Sequence, residues 1–193
     1  MREVNPNPQT QSEGSKHSNR PQTNVKEVID YLILFVKNPT EQIKHLPRWS
    51  WTALFVLQIT ITITSGIISG LLVLNFYRVL FGLILMPIVS TAACLLLTNF
   101  FYYYFQFFEN RTVSFRKLLT FVILASIPFF LFQVLAEYVR FISLIGFGFT
   151  SLLAIIGLRE SFNVEKKRAI ILISVLFSLA LATWIFNQMT VPN

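Results

Sequence analysis

Few side chains in this 193-residue chain could do chemistry, and their spacing does not gather them into a reactive set. A metal site needs several His, Cys or carboxylate ligands converging on one point. The two histidines, His17 and His45, stand in separate polar segments. The single cysteine, Cys94, lies inside an apolar run, so neither a metal cluster nor an intrachain disulfide is expected. General acid–base catalysis works with positioned, paired titratable groups, yet Asp30 is the sole aspartate and no phosphate-cradling glycine loop or nucleophile elbow occurs. The chain is therefore expected not to be an enzyme and to carry no cofactor. Within the apolar runs the strongly polar side chains include Gln58, Asn99, Gln106 and Gln133, without the mid-membrane ionisable groups that a proton-coupled carrier uses.

What recurs instead is small residues at helical spacing. Gly66 and Gly70 form a G-x-x-x-G; Ser90, Cys94 and Thr98, then Gly146, Thr150 and Ala154, then Ser174, Ser178 and Ala182 each repeat every four residues. Such stripes let a second helix approach closely. Gly66 and Gly70 can serve packing inside a bundle or against a second copy, which leaves a homo-oligomer open. Ser90, Cys94 and Thr98 suit packing and, with Gln133, could also line a narrow path. The stripes of the last two runs are expected to face each other as a hairpin. The polar linker between those runs carries Arg159, Lys166, Lys167 and Arg168, candidate contacts for anionic lipid or an acidic partner, or alternatively orientation signals during insertion.

The elements that position these residues follow from composition. With 54% hydrophobic and 13% charged residues and a mean hydropathy of +0.60, the chain is too apolar for a soluble domain. Apolar runs at 49–77, 79–108, 118–136, 141–158 and 169–186 are each long enough to cross a bilayer as a helix rising about 1.5 Å per residue. The Ile59-Thr60-Ile61-Thr62-Ile63-Thr64 alternation mimics a strand, but an open sheet edge in lipid leaves backbone groups unpaired, so a helix is expected. Pro87 with Gly82, and Pro128, mark kinks. Trp49 and Trp51 on one side, Trp184 on the other, and the aromatic cluster at 100–108 read as headgroup-level anchors. The expected fold is an all-α membrane protein: a five-transmembrane-helix bundle preceded by a short amphipathic cytoplasmic helix.

The net charge of +7 does not point to nucleic acid, because the basic residues fall in short clusters between apolar runs; anionic lipid headgroups are the better partner. Counted segment by segment, Lys and Arg number 7, 1, 3, 1, 4 and 0, an alternation that splits 14 to 2 between the two sides. The positive-inside bias therefore predicts a cytoplasmic N-terminus and an outer C-terminus. Glu137 and Arg140 are expected to pair in an outer turn. A cytoplasmic loop would keep the Asn110-Arg111-Thr112 sequon silent. Targeting is expected to use the uncleaved spans, since no signal peptide is visible.

Residues 1–24, rich in Pro, Asn, Gln, Ser and Thr, read as a disordered cytoplasmic tail. Residues 25–48 read as interfacial and juxtamembrane helices. Val25, Val28, Ile29, Leu32, Phe35 and Val36 form an apolar stripe that meets either lipid or the protein's own surface. Asn38-Pro39-Thr40-Glu41 opens a second short helix that ends by Pro47. Residues 49–187 form the five-span domain and 188–193 a short outer tail.

The Asn-Pro-opened helix before the first span, the five-span pattern, and the closing series at 145–157, Leu158-Arg159-Glu160 and Lys166-Lys167-Arg168-Ala169 resemble the Yip family of Ypt/Rab-GTPase-interacting proteins. The resemblance covers residues 38–186. It implies a multi-pass membrane protein of trafficking or assembly character. Eukaryotic members carry an acidic-leucine-tyrosine-glycine-proline type motif before the first span, where this chain has only Asp30-Tyr31. The chain is therefore more similar to the bacterial members, some of which associate with exporter complexes. This implies an adaptor or assembly partner for other integral membrane proteins in a bacterial plasma membrane, or in endomembranes if the source is eukaryotic. A small-solute or ion channel or carrier is the alternative.

Overall fold

The computed structural model describes residues 25–190 apart from Asn75, Glu137 and Arg140, with only the backbone described at Arg78, Asn187, Gln188 and Thr190. The expectations for residues 1–24, for 191–193 and for a Glu137–Arg140 pair lie outside the described residues. The helices are α1 (Val25–Lys37), α2 (Pro39–Gln42), α3 (Trp51–Leu72), α4 (Phe76–Phe107), α5 (Phe115–Leu135), α6 (Ile142–Glu160) and α7 (Lys166–Thr190); among the described residues there is no strand.

Helices α3 to α7 each contain a stretch long and apolar enough to cross a membrane. The Ile59–Thr64 alternation is helical, and the Thr62 hydroxyl donates back to the Gln58 carbonyl at 2.9 Å, which satisfies it within its own helix. Ser50 caps α3 by accepting from the Ala53 N–H at 3.2 Å. In α2 the structure places Pro39 in the first turn, but the Asn38 side chain makes no capping bond and the helix stops at Gln42.

α5 is the centre of the bundle. It packs on α3, α4 and α6 and is the most buried of the five spans, with Leu118, Leu119, Phe121, Val122, Ile123 and Leu124 enclosed. A helix apolar on all sides is the one that can be surrounded. α3 pairs with α4, and α7 packs on α6 at the edge, where it is the least buried span. Two turns on one side of the bundle share a device. Asn110 and Asn163 adopt left-handed φ of 49° and 51°, and the N–H after each returns to a carbonyl near the end of the preceding helix, Arg111 to Phe105 at 3.2 Å and Val164 to Leu158 at 3.0 Å. Asparagine tolerates that conformation better than most residues.

α1 carries two apolar stripes. Val28, Tyr31, Leu32 and Phe35 face the bundle, while Val25, Ile29, Ile33 and Val36 are exposed. The two surfaces considered for this helix are thus both offered, on adjacent flanks.

Candidate functional site

The small-residue stripes resolve into different surroundings. A methyl group placed on Gly66 would lie 2.7 Å from the Gly82 Cα, and one on Gly70 would lie 2.7 Å from the Val79 backbone nitrogen, so this G-x-x-x-G faces α4 within the bundle. Gly82, expected only as part of a kink, is the surface that Gly66 meets. Cys94 and Thr98 are buried, with the Thr98 hydroxyl donating to the Cys94 carbonyl at 2.7 Å; Ser90 lies beside the Gln58 amide, 3.4 Å away. Gly146 and Ala154 are buried, but Gly146 faces Phe129 and Phe132 of α5 rather than α7.

The expected hairpin face on α7 is corrected. Ser174, Ser178 and Ala182 are exposed, and the helix turns Ala169 and Ile173 inward, with Leu172 and Leu176 partly covered. In a bilayer a leucine gains little by leaving lipid for protein, so hydropathy does not choose a helix face. A hydroxyl can bond to its own backbone, as Thr183 does to the Leu179 carbonyl at 2.9 Å, and this removes the cost of turning such residues outward.

Between α4, α5 and α6 lies a cavity of about 390 Å³ whose walls include Ser90, Cys94, Gln133 and Thr150 among bulky apolar side chains. It gathers most of the residues considered for a path, but Thr98 is packed away from it. The Gln58 Oε1 and Thr150 Oγ1 are buried without a partner among the described residues.

The α1 side of the bundle is closed by a folded cap, in which α1 takes the protein-facing one of the two surfaces considered for it and the segment after it folds in as well. Trp49, expected at the headgroups, is 1% exposed and meets Tyr31 edge-on at 5.2 Å, whereas Trp51 is exposed and stacks near Phe115. The Tyr31 hydroxyl donates to the Gln42 carbonyl at 2.8 Å, and burial pushes its pKa up to about 12. Ile43 is fully buried against the α6 end at Gly157. The Ser161 hydroxyl lies 2.7 Å and 2.8 Å from the Ile43 and Lys44 carbonyls, so one donor is shared by two acceptors and the pre-span segment is tied to the α6–α7 linker. The aromatic cluster at 100–108 divides accordingly. Phe101 and Phe105 join Phe121 and Phe162 in the core, while Phe100, Tyr103, Phe107 and Phe108 face outward. The sequence signals for the cap were the apolar spacing within α1 and the Asn38-Pro39 helix opening; neither points to Trp49 or Ser161.

The four linker cations have unequal roles. Arg168 reaches Glu109 at 3.3 Å and Glu165 at 3.4 Å, and so ties the α6–α7 linker to the α4–α5 turn; Arg159 lies 3.7 Å from Glu160. Lys166 and Lys167 are exposed. Glu109 also lies 3.6 Å from Arg111, whose guanidinium sits over the Phe105 ring at 5.2 Å.

Neither a curated protein nor a solved structure matches this sequence. Among family models, that of the Yip1 domain matches residues 33–186, from the second half of α1 to near the end of the last span. The cap and the five apolar helices thus fall within one matched unit, and the chain, an integral membrane protein, belongs to the Yip1 domain family.

Proposed function

We propose that the chain is a non-enzymatic adaptor that holds other integral membrane proteins beside it, as in the assembly of an export complex, or that organises the membrane around it. The supporting observation is α7. It packs on α6 alone among its extensive contacts and turns Ser174, Ser178 and Ala182 outward, where bulky side chains would serve lipid equally well. Small residues on an outer face permit close approach by another transmembrane helix. The 14 to 2 split of basic residues supports an N-terminus in the cytoplasm, with the five-span domain over 49–187 and Lys166 and Lys167 available to anionic headgroups or an acidic partner.

A photo-crosslinking residue at Ser178 should capture a discrete membrane partner that a Ser178→Leu variant no longer retains, whereas the same probe on the exposed α4 residue Val89 should capture lipid. Equal capture at both positions overturns the reading. Capture of the chain itself assigns the face to a homo-oligomer. The cavity at Ser90, Cys94 and Gln133 favours a channel or carrier as the second reading, and solute flux in liposomes that Gln133→Leu abolishes would establish it. For orientation, cysteines at Lys167 and Met189 in a Cys94→Ala background should label from opposite sides; labelling of both from outside contradicts five spans.

A further inference from the structure

A second cavity, of about 520 Å³, lies under the cap, lined by residues 44–49, by Ser114, Arg116, Lys117 and Thr120 of the α5 start, and by Ser161. Its volume falls within the roughly 300–1,000 Å³ common to small-molecule sites. Lys44, Arg48, Arg116 and Lys117 converge on it, His45 adds an imidazole, and no Asp or Glu is among its lining residues. Lys44 has a carboxylate neighbour in Glu41 at 2.7 Å, but among the described residues no carboxylate pairs with Arg48, Arg116 or Lys117.

The backbone adds to the positive field. α5 begins at Phe115, and the Ser114 side chain makes no capping bond, so the first-turn N–H groups face the cavity end of the helix without a side-chain acceptor. Helices favour acidic residues at this end, where the macrodipole is positive, yet α5 has Arg116 and Lys117 there and no acid. Arg116 and Lys117 stand at the positive pole of a 21-residue helix with Arg48 a further like charge on Lys117; all three are exposed, and an anion among them is favoured most at low salt. Lys117 is held in place by donating to the Ser161 carbonyl at 2.8 Å and by the Phe162 ring at 4.7 Å, which leaves it further N–H donors. Trp49 forms part of the wall, and its buried indole N–H has no acceptor among the described residues.

We propose that this cavity is a binding site for a phosphate-bearing anion, presented either by a phospholipid headgroup or by a soluble phosphate compound. Phosphate suits the site because its oxygens accept from guanidinium, ammonium and helix N-terminal N–H groups together. The cavity lies at the end of the spans, beside the exposed ring of Trp51 stacked on Phe115, which is where a headgroup would reach it.

The purified full-length chain in neutral detergent is the material for the test, with native mass spectrometry of phosphatidic acid against phosphatidylcholine adducts and calorimetric titration of inorganic phosphate. Phosphatidic acid preference without phosphate binding identifies the headgroup as the source; binding of inorganic phosphate identifies a soluble one. The Arg48→Gln/Arg116→Gln variant should weaken whichever binding is seen by about 25-fold, or roughly fivefold for each cation lost beside the anion. Lys26→Gln/Lys37→Gln, which removes the same charge from exposed positions of α1 outside the cavity lining, should leave it within about twofold. Ser114→Asp should abolish binding while raising the thermal midpoint, because it supplies both a cap and an internal anion; this variant decides the matter should the arginine pair fail to fold. Binding of neither probe, equal loss in the two charge variants, or unchanged binding in Arg48→Gln/Arg116→Gln overturns the proposal.

Discussion

Replacing Gly66 with alanine should separate the two helices that share the most extensive contact in the bundle, α3 and α4. The new methyl would sit 2.7 Å from the Gly82 Cα, 2.8 Å from its carbonyl oxygen and 3.0 Å from its carbonyl carbon, all backbone atoms that cannot rotate aside. Restoring an ordinary contact requires the helices to move apart by about 0.7 Å, and a gap of that order forfeits a quarter to a half of the dispersion energy of neighbouring contacts. Overpacking of this kind costs about 1–3 kcal/mol, and rigid backbone on the opposing side places it near the upper end. Alanine is also the better helix former by ~1 kcal/mol, so the net loss should be about 2 kcal/mol. Gly148 is the internal control, since a methyl there meets nothing within 4 Å, and Gly148→Ala should be neutral or stabilising. Gly82→Ala should match Gly66→Ala, and the double variant should cost less than the sum, because helices already separated accommodate the second methyl. Reversible unfolding in mixed micelles, followed by circular dichroism, reads all four. A Gly66→Ala variant as stable as Gly148→Ala would refute the close α3–α4 approach; altered oligomer size at unchanged stability would move the glycines to an intermolecular face.

Two further outcomes concern the cap. Ser161→Ala removes the donor shared by the Ile43 and Lys44 carbonyls, which should cost about 1–2 kcal/mol and speed amide exchange across residues 43–49; exchange altered only near residue 161 would show that the tie is not structural. Tyr31 keeps its proton more tightly when folded, so its contribution is complete below pH 10, the ordinary tyrosine value, and is lost as pH rises toward about 12. The quenching of Trp49 fluorescence by its Tyr31 neighbour should change over that window, and Tyr31→Phe should abolish the step; a step persisting in the variant would assign it to another tyrosine.

Much of this protein is determined by the sequence alone because the membrane imposes a local rule. A run such as 169–186 either is or is not long and apolar enough to span, and its backbone must then be helical, so the five spans and the rejection of the 59–64 alternation as a strand follow without tertiary knowledge. The amphipathic spacing of α1 is equally local. Which face of each span points inward is not. Leucine and phenylalanine are as well solvated by lipid as by protein, so Phe101 and Phe105 could be called buried, and Ser174, Ser178 and Ala182 exposed, only once neighbouring helices were in place. The cap joins Tyr31, Ile43, Trp49 and Ser161 across more than a hundred residues of chain, and the basic cavity gathers Arg48 with Arg116 and Lys117. Charge counting assigns such cations to a side of the membrane, but convergence on one cavity is a property of helix packing, which no local pattern encodes.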